Sequence, residues 1–327
     1  VINCYYLTGV AEKDGDTADK DAGNARAIDE AAFAVQSTFA DWDFKNVWTM
    51  DEKFQRPVLR SVNEHMDGTV YDPHRITTLC ELEDFRDSVN HGITYYGITV
   101  TLAADIDLSG SKDNPWIPIG SGNAFVGTFD GGGHRITGLY IETSGSSQGL
   151  FARNAGTIQN LGVAGSVSGG SYVGGVVGWN SGTVKNCYYS GSVSGNVEVG
   201  GMAGRNDNDV GIINCYSSAA VSGSANVGGV TGSNNNGSII NCYSNGTVSG
   251  HVNIGGVVGC HDTETIRVDY APEVTGCYYL ADNVLINSAI TNIDAGDSQA
   301  IDKAAFAVQF TFADWDFTNI WKMNGKF

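Results

Sequence analysis

Proline is scarce, with 5 in 327 residues, and positive charge is outnumbered: 18 Lys and Arg stand against 36 Asp and Glu, a formal charge of −18. A protein that grips a phosphate backbone does so by neutralising it with cations, so nucleic acid is not an expected partner. No run of 18 or more apolar residues occurs, which leaves no segment to cross a bilayer as a helix. The chain does not open with a basic n-region followed by an apolar h-region. It also lacks an H-E-x-x-H to hold a catalytic zinc and a G-x-x-x-x-G-K-[ST] to cradle a nucleotide. Through the middle of the chain no apolar stripe of 3.6-residue period is long enough for a helix.

Glycine, by contrast, is abundant, at 44 residues, which implies frequent turns. The chain also repeats itself on two scales. Residues 1 to 54 recur as 274 to 327 with a constant offset of 273: "AIDEAAFAVQSTFADWDFKNVWTM" (27 to 50) returns as "AIDKAAFAVQFTFADWDFTNIWKM" (300 to 323). The expectation is a parent protein with tandem copies of one module, of which this chain is the tail of one copy and nearly all of the next. Inside the module, "GTIQNLGVAGSVSGGSYVGG" (156 to 175), "GTVKNCYYSGSVSGNVEVGG" (182 to 201), "GIINCYSSAAVSGSANVGG" (211 to 229) and "GSIINCYSNGTVSGHVNIGG" (237 to 256) bring Asn160, Asn186, Asn214 and Asn241 into one column. The steps are 26, 28 and 27 residues, a period that announces stacked repeats, none of which buries its apolar side alone.

Short β-branched runs separated by Gly, Ser and Asn make each coil a set of strands. The expected architecture is therefore all-β, a right-handed parallel β-helix of about 27-residue coils with short helical and aromatic end caps. Three inward columns follow: Ile158, Val184, Ile212, Ile239; Val167, Val193, Val221, Val248; and Val173, Val199, Val227, Ile254. They predict a three-sided coil. Leu161, Cys187, Cys215 and Cys242 form another inward column, in which leucine substitutes for cysteine, so free buried thiols are expected rather than zinc ligands or disulfides. Cys4, Cys80, Cys260 and Cys277 are read as lying elsewhere. The Asn column is expected to form a hydrogen-bonded turn ladder, and the paired glycines a tight corner. Gln159, Lys185, Ile213, Ile240 and Val177, Ala203, Thr231, Val258 are read as bland outward columns.

"VGGVVGWNSGTVKNCYYSGSVSG" (173 to 195) and its neighbours resemble the GLUG-motif repeat, found in large secreted or surface-attached bacterial proteins that include adhesins and IgA-specific metalloendopeptidases. "ADIDLSGSKDNPWIPIGSGNAFVGTFDGGGHRITGLYIE" (104 to 142) resembles the lead-in of such arrays. The resemblance covers roughly residues 76 to 280 and implies a parallel β-helix and an extracellular, secreted or cell-surface address.

Four regions are expected: 1–60, the tail of a preceding module; 61–103, an N-terminal cap with a helix over 78–90; 104–293, the solenoid; and 294–327, a C-terminal cap. Thr78 and Glu81 make a capping box, and Leu79, Leu82, Phe85 and Val89 share a helical face that should cover the first coil. Ala304 to Gln309 reads as a short helix, with Phe312, Trp315, Phe317 and Trp321 as aromatic packing, and residues 31 to 48 play the same part in the earlier copy.

Three places could carry ligands. Tyr188, Tyr216 and Tyr243, continued by Tyr278, follow the inward cysteines and so make an outward strip, either a platform for glycan rings or simple cross-strand stacking. His261, Asp262 and Glu264, with Arg267 and Asp269, lie where Cys260 to Pro272 breaks the period, as binding loop or as solvated charge; Asp207 and Asp209 form a smaller bulge. Asp14, Asp16, Asp19 and Asp21 loosely resemble a Ca²⁺ loop, but the later copy replaces three of them, so no cofactor and no metal is the default. The reading that follows is a non-catalytic surface module, for adhesion or as a rigid spacer, with glycan or host extracellular protein as partner. The alternative is a polysaccharide-processing β-helix enzyme, a lyase or glycoside hydrolase, since fold alone does not separate the two.

Overall fold

The computed structural model describes residues 5–7, 26–28, 48–51, 56–59, 74–207, 211–262, 273–286 and 298–303. Contacts divide the chain into two units, 1–72 and 73–327. In the first, Tyr5–Leu7 pairs in parallel with Arg26–Ile28, and Trp48–Asp51 pairs antiparallel with Arg56–Leu59. The second is a parallel β-solenoid, with coils of about 27 residues as the repeat predicts.

One coil shows the construction. Thr157–Gln159 leads through Asn160 into Gly162–Ser168, then Ser171–Gly174, then Val177–Asn180, before Thr183–Lys185 begins the next turn. Each strand pairs in register with its equivalent in the next coil, for example Ile158 with Val184, Val167 with Val193, Val173 with Val199 and Val177 with Ala203. The three expected columns are buried, at 1% exposure or less.

The coil has four strands per turn rather than three. Val177, Ala203, Thr231 and Val258 are fully buried and not an outward column. The reason lies in the Gly-Gly corner: Val173 before it and both Val176 and Val177 after it face the interior, so the alternation does not carry across. Gly175 is required there, since a Cβ would lie 2.2 Å from the ring of Tyr189, which fills the interior at that level.

Asparagine forms two axial ladders. In the expected one, Asn160, Asn186, Asn214 and Asn241 all hold left-handed backbone, φ 52–54°, a conformation Asn tolerates better than most residues. Asn241 Nδ2 donates to Asn214 Oδ1 (3.4 Å), Asn214 to Asn186 (3.2 Å), Asn186 to Asn160 (3.0 Å) and Asn160 to Asp130 Oδ1 (3.0 Å). The second is buried: Asn154 Nδ2 donates to Asn180 Oδ1 (2.8 Å), Asn180 to Asn206 (2.8 Å) and Asn206 to Asn234 (2.7 Å).

Helix α1 (Leu79–Asn90) lies between His74–Ile76 and Thr99–Leu102, strands that pair in parallel at one end of a solenoid sheet, and begins at the expected capping box, Thr78 with Glu81. It buries Leu82, Phe85 and Val89, and Phe85 meets Tyr95, Phe125 and Phe129 at centroid distances of 5.1, 5.6 and 5.6 Å. At its last residue, Asn90 Oδ1 accepts from the backbone N–H of Gly120 and Ser121. The predicted segments 304–309, 312–321 and 31–47 lie outside the described residues.

Asn180→Ala strands donors and acceptors on both neighbouring coils and should lower the unfolding free energy by about 2–4 kcal/mol. Asn186→Gly keeps the left-handed turn accessible and breaks only a solvent-exposed rung, so it should cost less than about 1 kcal/mol. Urea denaturation of the two variants checks the contrast.

Candidate functional site

The cysteine column is inward and unbridged, with Cys187, Cys215 and Cys242 buried and free. It is longer than the sequence reading had it. Cys277 continues it, buried and stacked through the Tyr243–Tyr278 register. Each thiol donates to the carbonyl two residues back, Cys187 to Lys185 (3.2 Å), Cys215 to Ile213 (3.2 Å), Cys242 to Ile240 (3.3 Å) and Cys277 to Thr275 (3.3 Å). Cysteine suits this place as a small apolar side chain that carries a weak donor for a turn carbonyl. Burial pushes the Cys187 and Cys242 thiols up, away from thiolate.

Beside it, Tyr188, Tyr216 and Tyr243 form the expected strip. Their ring centroids are 5.0 and 4.8 Å apart and the planes 10° and 3° from parallel. Tyr188 lies against Gly162, where a Cβ would come within 2.3 Å of its ring, and Tyr278, next in register, is buried. The ring faces therefore cover one another, and a ligand would meet edges and hydroxyls. Burial, then the neighbouring ring, pushes the Tyr243 hydroxyl up; Tyr216 shifts the same way for the same causes.

His261 and Asp262 belong to the strand Val258–Asp262 and not to the period-breaking loop. His261 Nδ1 lies 3.0 Å from Asn234 Nδ2 and carries the buried ladder onto a ring nitrogen. The structure does not bring His261 together with Tyr188, Tyr216 and Tyr243, which run along a different sheet. Glu264, Arg267, Asp269, Asp209 and the acidic stretch Asp14, Asp16, Asp19 and Asp21 fall outside the described residues. Among the described residues no group of three or more His, Cys, Asp or Glu is arranged to hold a metal.

The densest polar constellation was missed by the sequence reading. On either side of the Gly-Gly corner run two columns, half-buried except at the buried Ser233. One is Ser147, Tyr172, Glu198, Asn226 and Asn253, all with left-handed backbone at φ 53–57°. The other is Arg153, Trp179, Arg205, Ser233 and Cys260. They meet at Tyr172 and Trp179, whose rings lie 5.7 Å apart and tilted by 37°. The Arg205 guanidinium sits 5.6 Å from the Trp179 ring and 5.9 Å from Tyr172, within cation–π range. Asp207 fixes both neighbours: its Oδ2 accepts from Trp179 Nε1 (2.7 Å), and Arg205 Nε donates to Oδ1 (2.9 Å) and Oδ2 (3.0 Å). Glu198 Oε1 is 3.5 Å from Arg205 Nη1, while Glu198 Oε2 is buried without a hydrogen-bond partner. Burial chiefly, and Asp207 secondarily, hold the Glu198 carboxyl above the usual range against the pull of Arg205. Left-handed backbone costs a residue with a β-carbon roughly 1–2 kcal/mol, and bulky Tyr172 and Glu198 bear it where later coils use Asn. The available signal was that mismatch, Tyr and Glu in a column that becomes Asn226 and Asn253.

Comparison with known proteins agrees with this architecture. Residues 169–194, which include Tyr172, Trp179, Asn186 and Tyr188, match the GLUG motif. Halomucin of Haloquadratum walsbyi is 29% identical over 54% of this chain, and a candidate Gly-rich membrane protein of Evansella cellulosilytica 36% identical over 30%. The chain spans 2% and 12% of those relatives' own lengths. These likenesses suggest a surface or extracellular repeat protein. A solved structure of a candidate immunoglobulin A1 protease from Bacteroides ovatus superposes with a TM-score of 0.58 and 22% identity, over 76% of this chain and 89% of that one. At that identity the likeness is one of fold. Among the described residues no helix is long and apolar enough to cross a membrane.

A thiol sealed from solvent by packing is closed to an alkylating reagent. Iodoacetamide labelling of the native protein should therefore leave Cys187, Cys215, Cys242 and Cys277 unmodified while exposed Cys80 reacts, and all should label in denaturant. Mass spectrometry of the digested protein reads this directly.

Proposed function

We propose that the chain is a non-catalytic extracellular module of a surface protein, a rigid spacer that also presents adhesion contacts to glycan or host matrix ligands. The observation that carries this reading is the repetition of one strand pairing at the module's distance. Tyr5, Tyr6 and Leu7 pair with Arg26, Ala27 and Ile28; Tyr278, Tyr279 and Leu280 pair with Gln299, Ala300 and Ile301. Every member differs from its counterpart by 273, the period of the sequence repeat. A chain that closes two successive modules with the same register is suited to serial projection. Stability in such arrays resides in nearest-neighbour contacts, and each coil adds length, ~4.8 Å along the axis.

The second reading, a polysaccharide-processing β-helix enzyme, has one observation in its favour. Arg205 lies between the carboxylates of Asp207 and Glu198, and burial raises the Glu198 carboxyl above its usual range, the combination of groups that proton transfer to a glycan would draw on.

Small-angle scattering from proteins carrying one, two and three tandem copies of residues 55–327 separates the two readings. A maximum dimension that grows by an equal increment per copy is expected for a spacer. Collapse of added copies onto one another, or cleavage or elimination of a uronate-containing glycan by the purified module, would sink the spacer reading.

A further inference from the structure

Most of the solenoid obeys its repeat. Down each column Val follows Val, Cys follows Cys, Asn follows Asn, and what the side chains bond to is the next coil. The Tyr172, Trp179, Glu198, Arg205 and Asp207 group departs from this. Positions equivalent to Trp179 hold Arg153, Arg205, Ser233 and Cys260, and positions equivalent to Glu198 hold Tyr172, Asn226 and Asn253. In a scaffold that needs only self-similar coils, two adjoining coils carry unlike side chains, two of them on left-handed backbone that disfavours their bulk. Backbone strain held at a polar, half-buried cluster is a mark of sites selected for what they contact.

The chemistry of the group narrows the ligand. Tyr172 and Trp179 form a tilted aromatic wedge, and both rings are half-buried. Asp207 is already satisfied by Trp179 and Arg205, so it holds those two in place. Glu198 Oε2 is the group left over, an acceptor with no donor and closed to solvent, so a ligand hydroxyl reaches it only as the carboxylate turns outward. A second cation at that oxygen would be repelled by Arg205, which occupies the space near both rings. An anion would meet two carboxylates on a chain of net charge −18. What fits is a neutral ligand with an apolar face and several hydroxyls that both donate and accept. Polar groups held in place by one another beside an aromatic face are how such ligands are oriented.

We propose that Tyr172, Trp179, Glu198, Arg205 and Asp207 form a binding site for a neutral saccharide, its C–H face on the Tyr172–Trp179 wedge and a hydroxyl donating to the Glu198 carboxylate as that group turns to meet it. Arg205 supplies a donor to a neighbouring hydroxyl, and Asp207 positions Arg205 and Trp179. The site deepens the surface-module reading and rests on it in one respect, that this face is displayed outside the cell.

Isothermal calorimetry on the full chain tests the site with neutral tetrasaccharides built from glucose, galactose, mannose or N-acetylglucosamine, with a sialylated and a sulfated glycan as charged comparators. At least one neutral member should bind, and Glu198→Gln and Trp179→Leu should each weaken it at least ten-fold. Glu198→Gln is nearly isosteric and keeps the test open if Trp179→Leu fails to fold. Glu198→Asn installs the side chain the next two coils carry; it should raise the melting temperature while abolishing binding, whereas a merely structural Glu198 would give a lower one. The proposal is overturned by binding of charged comparators alone, by no binding to any neutral member, by affinity within two-fold of wild type in Glu198→Gln, or by a lower melting temperature in Glu198→Asn. None of these outcomes bears on the scattering increments, so failure of the site and failure of the spacer are told apart.

Discussion

Everything in the solenoid depends on one constraint: a side chain must live beside its own counterpart at the separation of paired strands, ~4.8 Å. Few residue types tolerate that indefinitely. Valine and isoleucine pack into themselves, asparagine donates to and accepts from itself, and tyrosine stacks on itself. Cysteine fills space while its thiol serves a local carbonyl. A column of like charges repels itself, which fits a chain whose carboxylates are few along these strands despite the acidic total. Where charges do enter, at Glu198, Arg205 and Asp207, opposite signs are interleaved across two adjacent sheets.

The same constraint explains why so much was legible in advance. A period near 27 residues can be read by alignment, and columns whose chemistry is self-compatible announce themselves: the Asn160 and Cys187 columns, the Tyr188 strip and the three valine columns all lie where the repeat places them. The cap helix was legible for a different reason, since Thr78 and Glu81 form a local signal that needs no tertiary context.

What was not legible lies at corners and between sheets. Gly174-Gly175 resets the in-and-out alternation, so counting through it turned the buried Val177 column outward and lost a side of the coil. Lateral pairs such as Trp179 with Tyr172 are set by how two sheets meet, and no single-column pattern records that. Cys277 was left out of its column because the insertion after Cys260 stretched the period, although the strand register closed over it. The place of His261 is hidden in the sequence because a histidine accepts there from a column of asparagines, and no repeat reveals the exchange.

The two asparagine ladders run in opposite senses. Along the turn ladder each amide donates towards the start of the chain and the series stops at the Asp130 carboxylate; along the buried ladder each donates towards the end, and Asn234 passes it on to His261. Amide dipoles aligned along one axis reinforce one another, and an opposed pair offsets the field each would build. Each series also has a direction, and the turn ladder a chemical full stop in the Asp130 carboxylate. A coil duplicated within the ladders inherits both polarities and joins without conflict, whereas one placed before Asp130 must bring a donor to a carboxylate that only accepts. Arrays of this kind can therefore lengthen from within by internal duplication more readily than by extension ahead of that carboxylate.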